Sequence, residues 1–376
     1  MNYSNDKRIV MTLDAGGTNL VFSAVRGNEQ IIEEVTFPTN GDDLDKCLTT
    51  IINGFNHVKN ILPERPAAIS FAFPGPADYP NGIIGDLPNL PAFRGGVALG
   101  PMLQDRFGLH VFINNDGDLY TYGEAMAGFL PYINNQLSKA DNPKRYKNLL
   151  GITLGTGFGA GIVNNGNLFF GDNSNSGEIW LLRDKLNPSM NVEEHASIRG
   201  VRRIYAREAG TEFINTPVPK DIYEIARGKQ EGNKQAAIKA FMEMAEVTGD
   251  AISNAITLID GLVVIGGGLA GAKDIFLPYL INEMNSSFTS PEGVKFQRLS
   301  SKVYNLENED DFLKFIKGTI KKISVYGTDK EIKYDPDMRI GVGISKIGTS
   351  KAIAIGAYTF ALRKMDTQFP PINHVG

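Results

Sequence analysis

Apolar residues recur along the chain with two periods, and segments of the two kinds alternate. Short apolar runs bounded by glycine, proline or asparagine predict buried strands, whereas apolar residues at three- and four-residue spacing predict amphipathic helices. The predicted strands lie at 8–14, 20–25, 67–73, 111–113, 149–154 and 261–265, and the predicted helices at 42–62, 118–129, 233–259, 273–288 and 351–365. This alternation indicates an α/β protein.

A strand followed by a glycine turn and a second strand is predicted twice. Residues 12–17 read Thr-Leu-Asp-Ala-Gly-Gly, and residues 153–157 read Thr-Leu-Gly-Thr-Gly. This weak repeat predicts a duplicated α/β domain. Two segments, near 131–147 and 292–338, are polar or of mixed pattern and are interpreted as insertions. The second could contain an extra helix at 309–322 and a strand.

Composition narrows the class of protein. Hydrophobic residues make up 42% of the 376 residues and charged residues 21%, as in ordinary globular proteins. The net charge of −4 disfavours a nucleic-acid-binding protein, and the single cysteine, Cys47, excludes an internal disulfide or a multi-cysteine zinc site. No apolar run reaches membrane-spanning length, and the first residues lack the apolar core of a signal peptide. A cytoplasmic protein without membrane or nucleic-acid partners is therefore expected.

Glycine is enriched, at 41 of 376 residues, and this directs attention to the turns. A glycine turn exposes backbone N–H groups to which phosphate oxygens bind. The segment 14–19, Asp-Ala-Gly-Gly-Thr-Asn, adds a hydroxyl and a carboxylate, that of Asp14, which could hold Mg²⁺ directly or through water. A plain hairpin turn is the alternative interpretation.

Two further glycine segments are ambiguous. No Walker-type phosphate loop occurs in the chain. Residues 155–161 match a dinucleotide-binding fingerprint, but a strand is predicted after them where that fingerprint requires a helix, so a second phosphate-binding hairpin fits better. Residues 266–271 match G-x-G-x-x-G between a predicted strand and a predicted helix. They favour either a nucleotide-dependent dehydrogenase or a turn against which a nucleotide base or ribose lies.

Four segments, taken in order, resemble the ROK family of sugar kinases and repressors. They are 14–19, 114–118, 155–157 with 177–178, and 266–268, and the resemblance extends over 8–290 and 339–365. It implies the actin-like ATPase (ribonuclease H-like) fold, with two α/β lobes and a cleft between them. The implied N-terminal lobe is 1–116 plus 351–376, with the sugar and the first phosphate loop. The ATP-binding C-terminal lobe is 117–350, including both insertions.

The resemblance implies a cofactor role for each matched glycine segment. ATP with Mg²⁺ is the expected cofactor, and Asp14 would hold the metal through ATP. The implied ATP-binding residues are Asp14, Gly16, Gly17 and Thr18 in the first phosphate loop, Gly155, Thr156 and Gly157 in the second, and Gly266, Gly267 and Gly268 beside the adenosine.

The resemblance also implies a sugar site. Asp116 matches the family's catalytic base and itself contacts the sugar, and Asn115, Glu178, Glu193 and Asn89 match sugar ligands. A carboxylate is needed because a sugar hydroxyl is a poor nucleophile until a base accepts its proton. Each of these residues also has a plain interpretation, since Asp116 could cap the following helix and the glutamates could be solvated loop acids.

The chain departs from the family pattern after Glu178. The next residues are Ile-Trp-Leu, so Leu181 replaces a histidine that in the family contacts sugar and binds zinc, and residues 182–192 contain no cysteine. Loss of the structural zinc and of one sugar contact is therefore expected. Trp180 could line the sugar pocket or the core, and His195 more plausibly packs or faces solvent than replaces the lost ligand.

The sequence thus predicts an ATP-dependent kinase of carbohydrate metabolism that phosphorylates a hydroxyl of a hexose or an N-acetylhexosamine, with Asp116 as general base. The altered motif after Glu178 motivates an alternative, a non-catalytic sugar-binding regulator or a degenerate ROK paralogue. The dehydrogenase that would use residues 266–271 is the third hypothesis. The expected partner is a small-molecule sugar, and family resemblance makes a homodimer the expected assembly, although no interface is readable.

Overall fold

The computed structural model describes residues 3–16, 18–75, 77–85 and 91–368. The strands are β1 (Val10–Ala15), β2 (Asn19–Arg26), β3 (Glu29–Gln30), β4 (Val35–Pro38), β5 (Ala68–Ala72), β6 (Ala77–Asp78), β7 (Ile83–Ile84), β8 (His110–Asn114), β9 (Leu149–Leu154), β10 (Phe158–Asn164), β11 (Asn167–Leu168), β12 (Leu262–Gly266), β13 (Ser287–Thr289), β14 (Lys295–Gln297), β15 (Lys302–Asn305), β16 (Lys321–Ser324), β17 (Glu331–Tyr334) and β18 (Arg339–Ile344). The α-helices are α1 (Leu44–Ile61), α2 (Leu99–Phe107), α3 (Asp116–Met126), α4 (Phe129–Lys139), α5 (Ile198–Ala209), α6 (Pro219–Ala226), α7 (Lys234–Ile259), α8 (Lys273–Met284), α9 (Glu309–Lys317) and α10 (Thr349–Gln368).

The chain divides into two compact units. The first comprises 1–128, 167–176 and 347–376, and the second comprises 129–166 and 177–346. Helix α3 lies within the first unit, whereas the sequence analysis assigned residues from 117 onward to the second lobe. The first unit is therefore built from three separate stretches of the chain.

The first unit contains a mixed sheet with the strand order β3-β2-β1-β5-β8, and β4 also pairs with β2. Strands β1 and β2 form an antiparallel hairpin, whereas β1, β5 and β8 run parallel. Alternate residues of β1 face opposite sides, as a strand requires. Met11 and Leu13 pack with α1 on one side, and Val10 packs with Tyr358 of α10 on the other.

Helices α3 and α10 of the first unit cross at two glycines. A Cβ atom at Gly123 would lie 1.9 Å from the carbonyl oxygen of Ala352, and one at Gly356 would lie 1.9 Å from that of Leu119. Both positions therefore need glycine, because any side chain would separate the two helix backbones. The close crossing places the beginning of α3, where Asp116 lies, against a fixed neighbour.

The second unit repeats this arrangement. Its sheet has the order β10-β9-β12-β18-β15, with an antiparallel β9–β10 hairpin and parallel pairing from β9 through β15. Strands β9, β10, β12 and β18 thus occupy the places that β1, β2, β5 and β8 hold in the first sheet. The duplicated α/β architecture predicted from the repeat is confirmed.

Several elements differ from the sequence-based expectation. The segment 131–147 begins inside helix α4. The segment 292–338 holds strand β14, whose partner β13 precedes it, the edge strand β15, helix α9 and the small hairpin β16–β17. Helix α9 ends before Gly318 and covers the first nine residues of the 309–322 helix that was expected there. Helix α2 was not predicted, and α8 ends at Met284, short of 288. Among the described residues, no helix has the length and apolarity to cross a membrane.

Candidate active site

The first glycine turn joins β1 to β2 and is fixed by a neighbouring threonine. The N–H of Gly16 donates to the carbonyl oxygen of Asn19 at 2.9 Å. Thr39, which is 2% exposed, donates its hydroxyl to the Gly16 carbonyl at 2.7 Å and its N–H to the Thr18 carbonyl at 2.9 Å. Thr39 therefore holds the turn through its backbone oxygens and leaves Thr18 exposed. Gly17 lies outside the described residues.

Asp14 lines a cavity of about 480 Å³ in the first unit, together with Glu34 and Lys351. Asp14 is exposed at the rim of this cavity, yet desolvation by neighbouring protein atoms, with the negative charges of Asp116 and Glu34, raises the pKa of its carboxylate. The first unit thus gathers several carboxylates around one recess.

Asn115 and Asp116 lie where β8 ends and α3 begins. Asn115 is the N-cap residue, and its Oδ1 accepts the Gly117 N–H at 2.8 Å. Asp116 is the first residue of the helix, and its Oδ1 shares that N–H, also at 2.8 Å. The cap is thus primarily Asn115. Desolvation raises the pKa of Asp116, although the Gly117 N–H opposes the shift.

The second glycine turn joins β9 to β10 and is tied to a glutamate far along the chain. The N–H of Gly155 donates to the Gly157 carbonyl at 3.0 Å. The Glu193 carboxylate accepts the Phe158 N–H at 3.0 Å, and a Cβ at Gly157 would lie 2.7 Å from the same oxygen. Because a side chain at Gly157 would displace Glu193, the turn and this carboxylate are packed against each other. Thr156 in the same turn is exposed to solvent.

The third glycine segment lies against the second turn. Gly267 has φ of +88°, and a Cβ there would lie 2.3 Å from the carbonyl oxygen of Leu154, the last residue of β9. Gly266 ends β12, and Gly268 begins a 3₁₀ turn that leads into α8. Only glycine satisfies both requirements at position 267. The two glycine segments predicted to bind ATP in the second unit are therefore neighbours.

Glu178 contacts Trp180, which lies in the segment where this chain departs from the family motif. The indole N–H of Trp180 donates to the Glu178 carboxylate. Trp180 is partly buried against the hydrophobic core of the second unit, whereas Leu181 is 61% exposed. The tryptophan therefore packs against the core, and its indole also contacts the glutamate.

The structure brings together some of the predicted residues and leaves others undescribed. It groups Asp14 with Asp116 in the first unit, and Glu193 with Gly157 in the second. Asn89 lies outside the described residues. Within 3–16, 18–75, 77–85 and 91–368, no group of three or more histidine, cysteine, aspartate or glutamate residues is arranged to hold a metal ion. Sequence reasoning missed Thr39 and the Phe158 N–H, because neither contact is visible in a local motif.

Comparison with known proteins identifies the family. The ROK family model matches residues 10–303. A crystal structure of glucokinase from Parabacteroides distasonis is 55% identical, has a TM-score of 0.89, and covers 96% of this chain and 99% of its own. N-acetyl-D-glucosamine kinase from Vibrio cholerae serotype O1 is 29% identical over 280 residues, which are 70% of this chain and 85% of that protein.

A more distant structure agrees in fold. The ROK family glucokinase from Streptomyces griseus, solved with glucose and AMPPNP, is 17% identical, with a TM-score of 0.58 over 93% of this chain and 98% of its own. At that identity the likeness supports the fold alone. Together these matches favour the kinase hypothesis over the dehydrogenase hypothesis. The chain belongs to the ROK family, has its actin-like ATPase fold and is a sugar kinase.

Proposed function

We propose that this kinase transfers the γ-phosphoryl group of ATP to a hydroxyl of a hexose, with glucose as the first candidate and N-acetylglucosamine as the second. The observation that carries the proposal is the Asp116 carboxylate, which lies beside Asn115 at the beginning of α3 and has a raised pKa. The glucokinase relative at 55% identity supports glucose, and the N-acetyl-D-glucosamine kinase relative supports the alternative.

Asp116 is the proposed general base. As the sugar oxygen forms its bond to the γ-phosphorus and the bond to the ADP oxygen breaks, the hydroxyl proton passes to the Asp116 carboxylate. A raised pKa makes that carboxylate a stronger proton acceptor than an ordinary aspartate. General-base assistance of this kind contributes roughly 10²–10⁴-fold to a rate.

Hydrogen-bonding groups remain for the sugar on the proposed ligands. Asn115 uses its side-chain oxygen to cap α3, which leaves its amide NH₂ to donate to a sugar oxygen. Glu193 uses Oε2 for the Phe158 N–H, and its Oε1, 3.5 Å from the Arg199 guanidinium, can accept from a sugar hydroxyl. Glu178, oriented by Trp180, supplies a second acceptor. Several such groups are needed because each buried sugar hydroxyl must be paired.

The donor set of the first unit fits Mg²⁺ bound with ATP. Asp14 would hold the ion, directly or through water, since carboxylate oxygens are ligands that Mg²⁺ prefers. When bound, Mg²⁺ supplies neutralisation of phosphate charge. The exposed backbone of the two glycine turns is proposed to bind the phosphate oxygens, and the Gly266–Gly268 segment to lie beside the adenosine.

A sugar panel tests the proposed function. Release of ADP is followed by a coupled assay with ATP and Mg²⁺ in the presence of glucose, N-acetylglucosamine, mannose or no sugar, and the thermal shift caused by each sugar is measured in parallel. We expect glucose to give the highest kcat/KM, with ADP release close to background when sugar is omitted. A sugar-induced thermal shift without ADP release would instead support the non-catalytic regulator.

A further inference from the structure

Asp184 is a buried carboxylate inside an otherwise accessible loop of the second unit. Its side chain is 0% exposed, and its Oδ1 accepts the N–H groups of Leu186 and Asn187 at 2.8 and 2.9 Å. Its Oδ2 lies 2.5 Å from Nδ1 of His195. Because a carboxylate oxygen accepts, Nδ1 is the donor in this contact. Asp184 therefore fastens its own loop with one oxygen and His195 with the other.

The backbone closes the same loop. The N–H of Val192 donates to the Leu182 carbonyl at 2.9 Å, and the N–H of Asp184 donates to the Met190 carbonyl at 3.0 Å. The two ends of the 182–192 loop are therefore hydrogen-bonded to each other. The 3₁₀ turn Val192–Glu194 begins at the second end of this loop, and His195 is its C-cap residue. The His195 ring ties the end of that turn back to Asp184 in the loop before it.

Glu193, the proposed sugar ligand, lies in the middle of this turn. Its backbone oxygen accepts the Ser197 hydroxyl at 2.7 Å, and its carboxylate accepts the Phe158 N–H at the second glycine turn. Helix α5 lies directly on the turn, since a Cβ at Gly200 would be 2.1 Å from the His195 carbonyl oxygen. The turn is therefore held by α5 after it and by the His195–Asp184 contact before it.

We propose that His195, anchored by Asp184, is a positioning residue for Glu193 in sugar binding, an inference that rests on the proposed function. The pair holds the 3₁₀ turn so that Oε2 of Glu193 reaches the Phe158 N–H and Oε1 is presented to the sugar. The Glu193 side chain has a fixed length, so its carboxylate can bond the Phe158 N–H and the sugar together only when the backbone of the turn is correctly placed. A shift of about 1 Å in a positioned group can cost roughly 10²-fold in rate.

The test compares three variants of this loop by sugar KM, ATP KM, kcat and melting temperature. His195→Ala removes the donor and is expected to raise the sugar KM by about tenfold with a smaller change in kcat. His195→Asn is expected to restore most of the wild-type KM, because an asparagine amide can donate to Asp184 from nearly the position of Nδ1. Lys185→Ala is the matched control, since Lys185 is on the same loop and pairs with Glu246 and Glu283. It should leave the sugar KM unchanged.

A double-mutant cycle shows whether His195 acts through Glu193. If it does, His195→Ala adds little to the sugar KM of Glu193→Gln. Full additivity, or an unchanged sugar KM in a destabilised His195→Ala variant, would overturn the proposal. If His195→Ala does not fold, His195→Leu takes its place, because leucine keeps bulk at this position while the Nδ1 donor to Asp184 is lost. Absence of turnover by the wild-type enzyme on every hexose would refute the proposed function instead.

Discussion

The two glycine turns occupy equivalent places in two sheets of the same strand order, yet they carry charge differently. The first turn has its own carboxylate, Asp14, at the end of β1. At the matching place in the second turn stands Gly155, and the nearby carboxylate comes from Glu193, which reaches the Phe158 N–H from a separate turn. Duplication therefore preserved the backbone path, while the acidic group of each half was placed independently.

The difference separates two kinds of chemistry. In the first unit the carboxylates of Asp14 and Asp116 have raised pKa values, because they are desolvated and, for Asp14, close to other negative charges. Such a group can accept a proton or hold a cation. In the second unit Glu178 and Glu193 accept hydrogen bonds from an indole and a backbone N–H. Fixed acceptors of that kind suit recognition of hydroxyl groups.

The largest expected effect comes from removing the proposed base of the first unit. Asp116→Asn keeps the shape of the side chain but cannot accept the proton, and kcat should fall by roughly 10²–10⁴-fold. The measurement is the coupled ADP-release assay, with Asp105→Asn as a control in which an exposed carboxylate of α2 is replaced. Turnover by Asp116→Asn at the wild-type rate would contradict the assignment of proton transfer to the first unit.

The second prediction concerns the backbone of the second unit. Gly267→Ala places a side chain on a backbone of φ +88° and ψ 171°, which only glycine adopts freely and which costs other residues roughly 1–3 kcal/mol. The added Cβ would also meet the Leu154 carbonyl. We expect a fall of several degrees in melting temperature and an increased ATP KM.

Gly271→Ala is the matched control, because it lies in the same segment and a Cβ there meets nothing within 4 Å. Its melting temperature should stay close to that of the wild type. Equal destabilisation by both substitutions would show that the close approach of Gly267 to β9 is not the reason for glycine at that position.

A pH experiment measures what the raised pKa of Asp116 does to stability. Because the folded state raises this pKa above the ordinary value of 3.8, ionisation at neutral pH destabilises the fold. Asp116→Asn should therefore melt at a higher temperature than the wild type at pH 7. The difference should shrink as the pH falls through the raised pKa and vanish below 3.8, where the carboxyl is protonated in both the folded and the unfolded state. A gain that is independent of pH would indicate a cause other than ionisation.

The smallest expected effect concerns the support of the first turn. Thr39→Val removes the hydroxyl that donates to the Gly16 carbonyl, and the loss of one such hydrogen bond costs about 1 kcal/mol. Chemical denaturation should show a decrease of that size, with a modest increase in ATP KM. Thr39→Ser, which keeps the hydroxyl, should retain the ATP KM of the wild type. If Thr39→Val is as stable as the wild type and Thr39→Ser is not, the methyl group rather than the hydroxyl supports the turn.

Local motifs made much of this fold predictable from the sequence. The glycine turns and the strands around them were found because a strand end and a turn are encoded within about ten consecutive residues. The duplicated order of the sheets followed from the resemblance of two such motifs. Helix α2 was missed because Gly100 and Pro101 interrupt its apolar pattern, although both fit in the first turn of a helix.

The parts of the candidate site that the sequence did not predict depend on contacts between residues distant in sequence. Nothing near Phe158 indicates that its N–H is paired with Glu193, and nothing near Gly16 indicates Thr39. Gly267 was recognised as part of a motif, but its approach to Leu154 depends on the pairing of β12 with β9. Such contacts are decided by the packing of whole elements, and a single sequence does not encode them at any fixed spacing.

The crossing of α3 and α10 has a consequence for synthesis of the chain. Helix α10 comes last in chain order among the helices of the described residues, yet it covers the side of the first sheet on which Val10, Val25 and Ala68 lie. As the chain emerges from the ribosome, this apolar surface is complete long before the helix that covers it has been translated. The first unit therefore cannot complete its folding until helix α10 has been synthesised. A nascent chain stalled before residue 349 would expose this apolar surface to chaperones and proteases.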